Sequence, residues 1–213
     1  MHTFAQFTTG SSHARQIIAR HPLALVVAVI CDAWPEGVHV PVVFANDEAP
    51  DAPVVGSELV GHMARSNPLL TELRRDGRAL AVFTGPGCYV SPTATGVEPD
   101  VPTWDYAAVH VRGRVAIVDD EAGCLKIVTR TVEAFEALEP VHWDMAGSLT
   151  LFRRIVRDAV GFRLRVEAMD EMVKMSQDLA PETRRRIAQA ASERGGDGAE
   201  VAEWIRRTGG EQA

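Results

Sequence analysis

The chain has 213 residues, enough for one well-buried core and marginal for two, and its 46% hydrophobic and 24% charged residues are the proportions of a globular protein, not a disordered one. A formal net charge of −7 counts against a nucleic-acid partner, which calls for a basic footprint. Cys31, Cys88 and Cys124 are odd in number and form no CxxC pair, so neither a disulfide framework nor a structural zinc site is indicated; with no basic-then-apolar leader and no run long enough to span a bilayer, a soluble cytoplasmic protein is expected.

Ser11 or Ser12 caps a short helix through Arg15, Ile17 and Ile18, which stops before His21-Pro22 because proline disfavours a helical predecessor. The apolar run from Leu23 to Cys31 reads as a buried strand, the segment from Asp32 to Gly37 as a turn, and Val38 to Phe44 as the returning strand of a hairpin. Ser57 to Met63 gives a third strand, and Ser66-Asn67-Pro68 opens a helix through Leu73 that ends at Asp76-Gly77. Ala79 to Phe83 is the fourth strand. From Thr84 to Thr103 the chain holds three glycines and four prolines and reads as a long loop, the kind that carries function in a compact domain.

Between Tyr106 and Val118, Val109, Val111, Val115 and Ile117 alternate with His110, Arg112 and Arg114, marking the fifth strand. Leu125, Val128, Val132 and Phe135 follow helical spacing between Glu121 and Leu138, and a second helix with Leu149, Phe152, Ile155 and Val156 follows the His142-Trp143-Asp144 turn. Gly161 to Met169 is the sixth strand. Residues 1–178 are thus expected to form one mainly β (α+β) domain, a six-stranded antiparallel barrel with flanking helices, and residues 179–213 a peripheral helical tail.

Several residues stand out chemically. His62 and Arg65 lie where a strand meets a helix start whose N–H groups suit an anion, with His62 a candidate metal or heme ligand; a lone histidine carries little specificity, and spacing alone favours Ser66 as a plain cap and His62 as a hydrogen-bonded barrel histidine. In Gly85-Pro86-Gly87-Cys88-Tyr89 the glycines allow close approach of a planar ligand and Tyr89 offers a face or a proton, or the segment is a rigid turn. Trp104 and Tyr106 add an aromatic cluster at the same end, and His39 and His110 sit on alternating strands. Lys174, one of only two lysines, suits a cofactor or substrate acid, although a solvated lysine is the ordinary case. No GxGxxG, Walker loop, HExxH or GxSxG motif is present.

The ordered set His21-Pro22, Val38-His39-Val40-Pro41, the block from Gly61 to Pro68, Tyr89-Val90-Ser91-Pro92, the block from Val101 to Val111, and Lys174-Met175-Ser176-Gln177 resembles the PaiB family. The resemblance implies an FMN-binding split barrel, homodimeric, with its cofactor pocket between subunits. One branch of that family consists of FMN-binding negative regulators, another of heme-dependent piperazate synthases. Gly87 and Asp178 depart from the regulators, and Trp143-Asp144-Met145 through Phe152-Arg153 is closer to the synthases. On the synthase branch the resemblance implies heme b, with FMN the alternative, and N5-hydroxy-L-ornithine cyclised to L-piperazic acid by N–N bond formation with loss of water. It would place His62 as axial iron ligand, Arg65 and Arg112 on the propionates, Trp104 and His110 in the cofactor pocket, and Tyr89 and Lys174 on the substrate side. A flavin-binding regulator without this activity, and a cofactor-free interaction protein, remain the other readings.

Overall fold

Six valine-rich segments pair edge to edge in the computed structural model, which describes residues 1–8, 11–28, 30 and 34–209. They are β1 (Leu23–Ala28), β2 (Glu36–Phe44), β3 (Glu58–Ala64), β4 (Arg78–Val90), β5 (Thr103–Val118) and β6 (Ala159–Lys174), closed into an antiparallel barrel in the order β1-β2-β3-β6-β5-β4. Closure leaves no unpaired edge, so each strand buries one face and presents the other. Val26, Val42, Leu59, Phe83, Val109 and Phe162 fill the interior. Helix α1 (Ser11–Arg20) packs Ala14, Ile17 and Ile18 into the same core.

Four strands run further than the residue pattern suggested: β2 starts at Glu36 and β5 at Thr103, and β4 and β6 lengthen most. The expected loop from Thr84 is strand as far as Val90, with a register shift between Thr84 and Gly87. Pro86 has no N–H to give a ladder, and the bulge is where a strand tolerates that loss. The connection that remains is residues 91–102, with the short helix α3 (Pro92–Thr95) capped by Ser91. Strand β6 likewise continues past Met169 to Lys174. A second irregularity lies between Arg112 and Gly113, where β5 and β6 shift register. A Cβ on Gly113 would lie 1.9 Å from the Arg165 carbonyl oxygen, so only glycine fits. At the other extreme, β1 ends at Ala28; residue 29 and residues 31–33, including Cys31 and the first two residues of the expected turn, lie outside the described residues, and the turn's last two, Glu36 and Gly37, belong to β2.

Helix α2 (Leu69–Arg75) begins after Pro68, and its first turn is closed by Asn67, whose Oδ1 accepts from the Leu69 N–H, where Ser66 was expected. Helix α4 (Glu121–Glu136), capped by Asp120, lies on the barrel's outer face, where Ile127 meets Val43 and Val60. Gly161 lets it approach: a Cβ there would stand 2.8 Å from Ile127 Cδ1. The seven-residue α5 (Leu149–Ile155) buries no side chain. The C-terminal helices α6 (Pro181–Arg194) and α7 (Asp197–Thr208) pack on each other and on β4, and their Ile187, Ala191, Val201 and Trp204 belong to the same buried cluster as the barrel. No helix of the described residues is long and apolar enough to cross a membrane.

Candidate functional site

Strand alternation decides which side chains reach the outer face of β4, β5 and β6. Buried Asp105, Ala107, Val109 and Val111 face inward, so Trp104, Tyr106, His110 and Arg112 face out. Register then aligns them: Tyr89 pairs with Trp104, Tyr106 with both Gly87 and Lys174, and His110 with Val82 and Asp170. The Tyr89 and Trp104 rings meet edge to face at 6.4 Å while remaining 42% and 56% exposed, an aromatic wall open on one side. Gly87 lets β4 and β5 pack closely there, because a Cβ on it would crowd the Tyr106 Cβ at 3.2 Å.

Lys174 sits at the end of β6 and donates to Thr103 Oγ1 and, at 3.0 Å, to the Trp104 carbonyl. Its place is fixed from behind by a pair that residue patterns did not single out. Asp105, fully buried, accepts from the Ser176 N–H at 3.2 Å and from the Ser176 hydroxyl at 2.6 Å. Ser176 adopts the left-handed conformation with φ 53°, which the two bonds hold in place. Burial pushes the Asp105 carboxyl above its ordinary value, opposed by the Ser176 hydrogen bond and the Lys174 charge. The available signal was an acid at an inward position of an alternating strand.

Further along the same face, Arg112 grips Asp170 with two hydrogen bonds of 2.6 and 3.2 Å, and the Met1 ammonium reaches the same carboxylate at 2.9 Å. Arg112, then the ammonium, hold Asp170 well below the usual carboxylate range. Burial and the ammonium lower the His110 pKa, so its imidazole is neutral near pH 7. Tyr89, Trp104, His110, Arg112 and Lys174 therefore share one surface, although Arg112 is already engaged by Asp170.

His62 and Arg65 are elsewhere. His62 pairs in register with Gly161, nine positions along β6 from the Asp170 that pairs with His110, a strand distance on the order of 30 Å. Its Nδ1 is buried without a hydrogen-bond partner, and burial lowers its pKa, so the ring is neutral. Arg65 donates at 2.9 Å to the Arg157 and Ala159 carbonyls and lies 3.5 Å from Asp119, stapling β3 to the start of β6. His39 is exposed on β2 opposite Leu25, and His21 contacts Glu200 at 3.1 Å. The histidines do not converge within one chain. Among the described residues no group of three or more His, Cys, Asp or Glu is placed to hold a metal ion.

Residues 1–168 match the family described as "Putative FMN-binding domain". The chain belongs to this FMN-binding family. Within it, the chain is 31% identical over 122 residues to "Protease synthase and sporulation protein PAI 2" of Bacillus subtilis, which covers 56% of this chain and 58% of that protein, so the match spans little more than half of the relative's length. The PaiB resemblance thus holds at the level of the family. Among solved structures, conserved hypothetical protein Rv2991 of Mycobacterium tuberculosis superposes with a TM-score of 0.58 at 10% identity, over 84% of this chain and 94% of that one. An FAD and heme binding protein from Mycobacterium smegmatis superposes with a TM-score of 0.53 at 15% identity, over 78% and 72%. Both show the fold: a six-stranded antiparallel barrel with flanking helices, of the split-barrel type.

Proposed function

We propose that this FMN-binding-family chain holds FMN against the outer face of β4, β5 and β6, with a second copy of the chain closing the site. The carrying observation is the open aromatic wall of Tyr89 and Trp104, with Lys174 beside it on one face. These residues fit a flat anionic cofactor: the rings give apolar contact and Lys174 supplies positive charge. FMN, when bound, supplies one- or two-electron redox chemistry; the chain's part is to bind it, orient it and keep water away. Leu23 is 60% exposed on the outer side of β1, and Leu25, Val27, Leu80 and Val82 are half-buried around it, an apolar surface that supports a homodimer.

A second reading takes heme b in place of FMN and the cyclisation of N5-hydroxy-L-ornithine to L-piperazic acid. The neutral His62 imidazole favours it, since the neutral ring is the form that ligates iron. Because His62 lies far from Trp104 within one chain, such a site requires the His62 of one protomer to meet the aromatic face of its partner. Tyr89 and Lys174 then stand on the substrate side. The net charge of −7 weighs against nucleic acid as the partner in either reading.

One experiment separates these. The purified chain is titrated with FMN and with hemin, the absorption spectrum and molecular mass are followed, and N5-hydroxyornithine is added to whichever complex forms. A flavin spectrum from a dimer, with affinity reduced about tenfold or more by Trp104→Ala, is expected on the FMN reading, a loss of order 1.4 kcal/mol or more in ring contact. A Soret band that His62→Ala abolishes, with loss of one water from the added substrate, would replace FMN by heme. A colourless protein with both ligands would overturn both.

A further inference from the structure

A second concavity lies away from the aromatic face. It is a cleft of about 900 Å³ between α1 and α4, floored by Val43 and Phe44 at the end of β2 and walled on the α4 side by Ala134, Ala137 and Leu138. Most charges around it are already spent. Arg15, itself buried, stacks over the Phe44 ring at 4.0 Å and meets Glu48 at 2.6 Å; Arg130 donates to the Phe44 carbonyl and to Asp47; Arg207 donates to Gln16. Among the described residues, the Arg20 guanidinium is the lining cation with no hydrogen bond or ion pair.

Arg20 and His13 are seven residues apart on α1, on one helix face and about 10 Å apart along the axis. His13 lines the far end of the cleft, and its Nδ1 is buried without a hydrogen-bond partner. Its ring packs at 5.4 Å on Trp204, which is 1% exposed and whose indole N–H is also unpartnered. Both nitrogens are sealed from solvent, so neither presents a polar group to the cleft. The cleft therefore has an uncommitted cation at one end and an apolar floor and wall running from it toward His13.

We infer that this cleft is a binding site for an organic carboxylate with an apolar body, the carboxylate on Arg20 and the body lying over Phe44 and Ala137 toward His13. Glu133 on the opposite wall has no partner among the described residues and disfavours a second anionic group near α4. This site does not depend on which cofactor occupies the aromatic face.

The test is calorimetric titration of the full chain with octanoate and, separately, 1-octanol. Octanoate should bind once per chain and more tightly than octanol. Arg20→Gln should weaken octanoate by roughly tenfold or more, the size of a charge-assisted hydrogen bond, and leave octanol unchanged. Ala137→Trp, a substitution at an exposed position of the wall, should abolish binding of both by filling the cleft. Unchanged thermal unfolding of the two variants shows that they are folded. Equal affinity for acid and alcohol, indifference to Arg20→Gln, or binding that survives Ala137→Trp would overturn the inference. So would binding that weakens as protein concentration rises, which would assign the cleft to a second copy of the chain.

Discussion

The two ends of the β5–β6 ribbon are built by different means. At the end carrying Trp104 and Lys174 the outer face is open, and order is imposed from inside by the buried Asp105 and its two bonds to Ser176. At the end carrying His62 and Gly161 the outer face is packed under α4 and stapled by Arg65 to backbone carbonyls. The irregularity between Arg112 and Gly113 divides them. An open face with internally fixed side chains suits ligand binding, because its groups are pre-positioned before anything covers them. A covered face whose arginine is spent on backbone carbonyls suits stability. The difference cautions against reading Arg65 and Lys174 as equivalent cations because both sit near strand ends.

The dividing point is where the largest effect is expected. Gly113→Ala puts a methyl group 1.9 Å from the Arg165 oxygen, a backbone atom that moves only if the two strands separate. The expected cost is about 3 kcal/mol in denaturant unfolding, with the aromatic face losing its alignment as well. A stable variant with unaltered cofactor binding would mean that the two ends are not coupled through this junction.

Next in size is Asp105→Asn. The amide has one acceptor where the carboxylate offers two, and its NH₂ opposes a Ser176 donor, so a loss of about 1–3 kcal/mol is expected. The pH dependence sharpens the point. Asp105 has a folded pKa above its unfolded value, so the folded chain holds the proton more tightly and stability falls as pH rises from the ordinary carboxylate value through the raised one. Asp170 acts in the opposite sense: its folded pKa is depressed, and its contribution is present above the ordinary carboxylate value and lost as pH falls through the folded one. Asp105→Asn should remove the first slope and keep the second. Stability curves parallel to the parent across the whole range would refute the assigned burial of Asp105.

The residue pattern exposed the open end better than the covered one, for physical reasons. Period-2 alternation from Tyr106 to Val118 places Trp104, His110 and Arg112 on one face once the strand is extended by two residues, and burial bears that out. The extension of β4 was hidden because Gly85-Pro86-Gly87 has turn composition, whereas a bulge absorbs all three without ending the strand. The last turn of β6 was hidden because Asp170 and Glu171 break the polar alternation, with Glu171 buried inward. Arg65 gave no sign that carbonyls distant in sequence would consume its guanidinium. The cleft between α1 and α4 was equally silent, since Arg20, Phe44 and Ala137 meet only through closure of the barrel and the packing of α4 on it.

Arg65→Ala is expected to have the smallest effect and bears most directly on the contrast between the ends. Its bonds to the Arg157 and Ala159 carbonyls lie at a partly exposed site, so their loss should cost about 1 kcal/mol in unfolding. If Arg65 serves only the covered end, FMN affinity should stay within twofold of the parent while Trp104→Ala reduces it tenfold or more. If the cofactor instead spans two protomers and reaches the His62 end, Arg65→Ala should weaken binding well beyond its effect on stability, and Arg65→Lys should restore charge without restoring the paired carbonyl contacts. The ratio of the binding loss to the stability loss therefore distinguishes a staple from a cofactor contact.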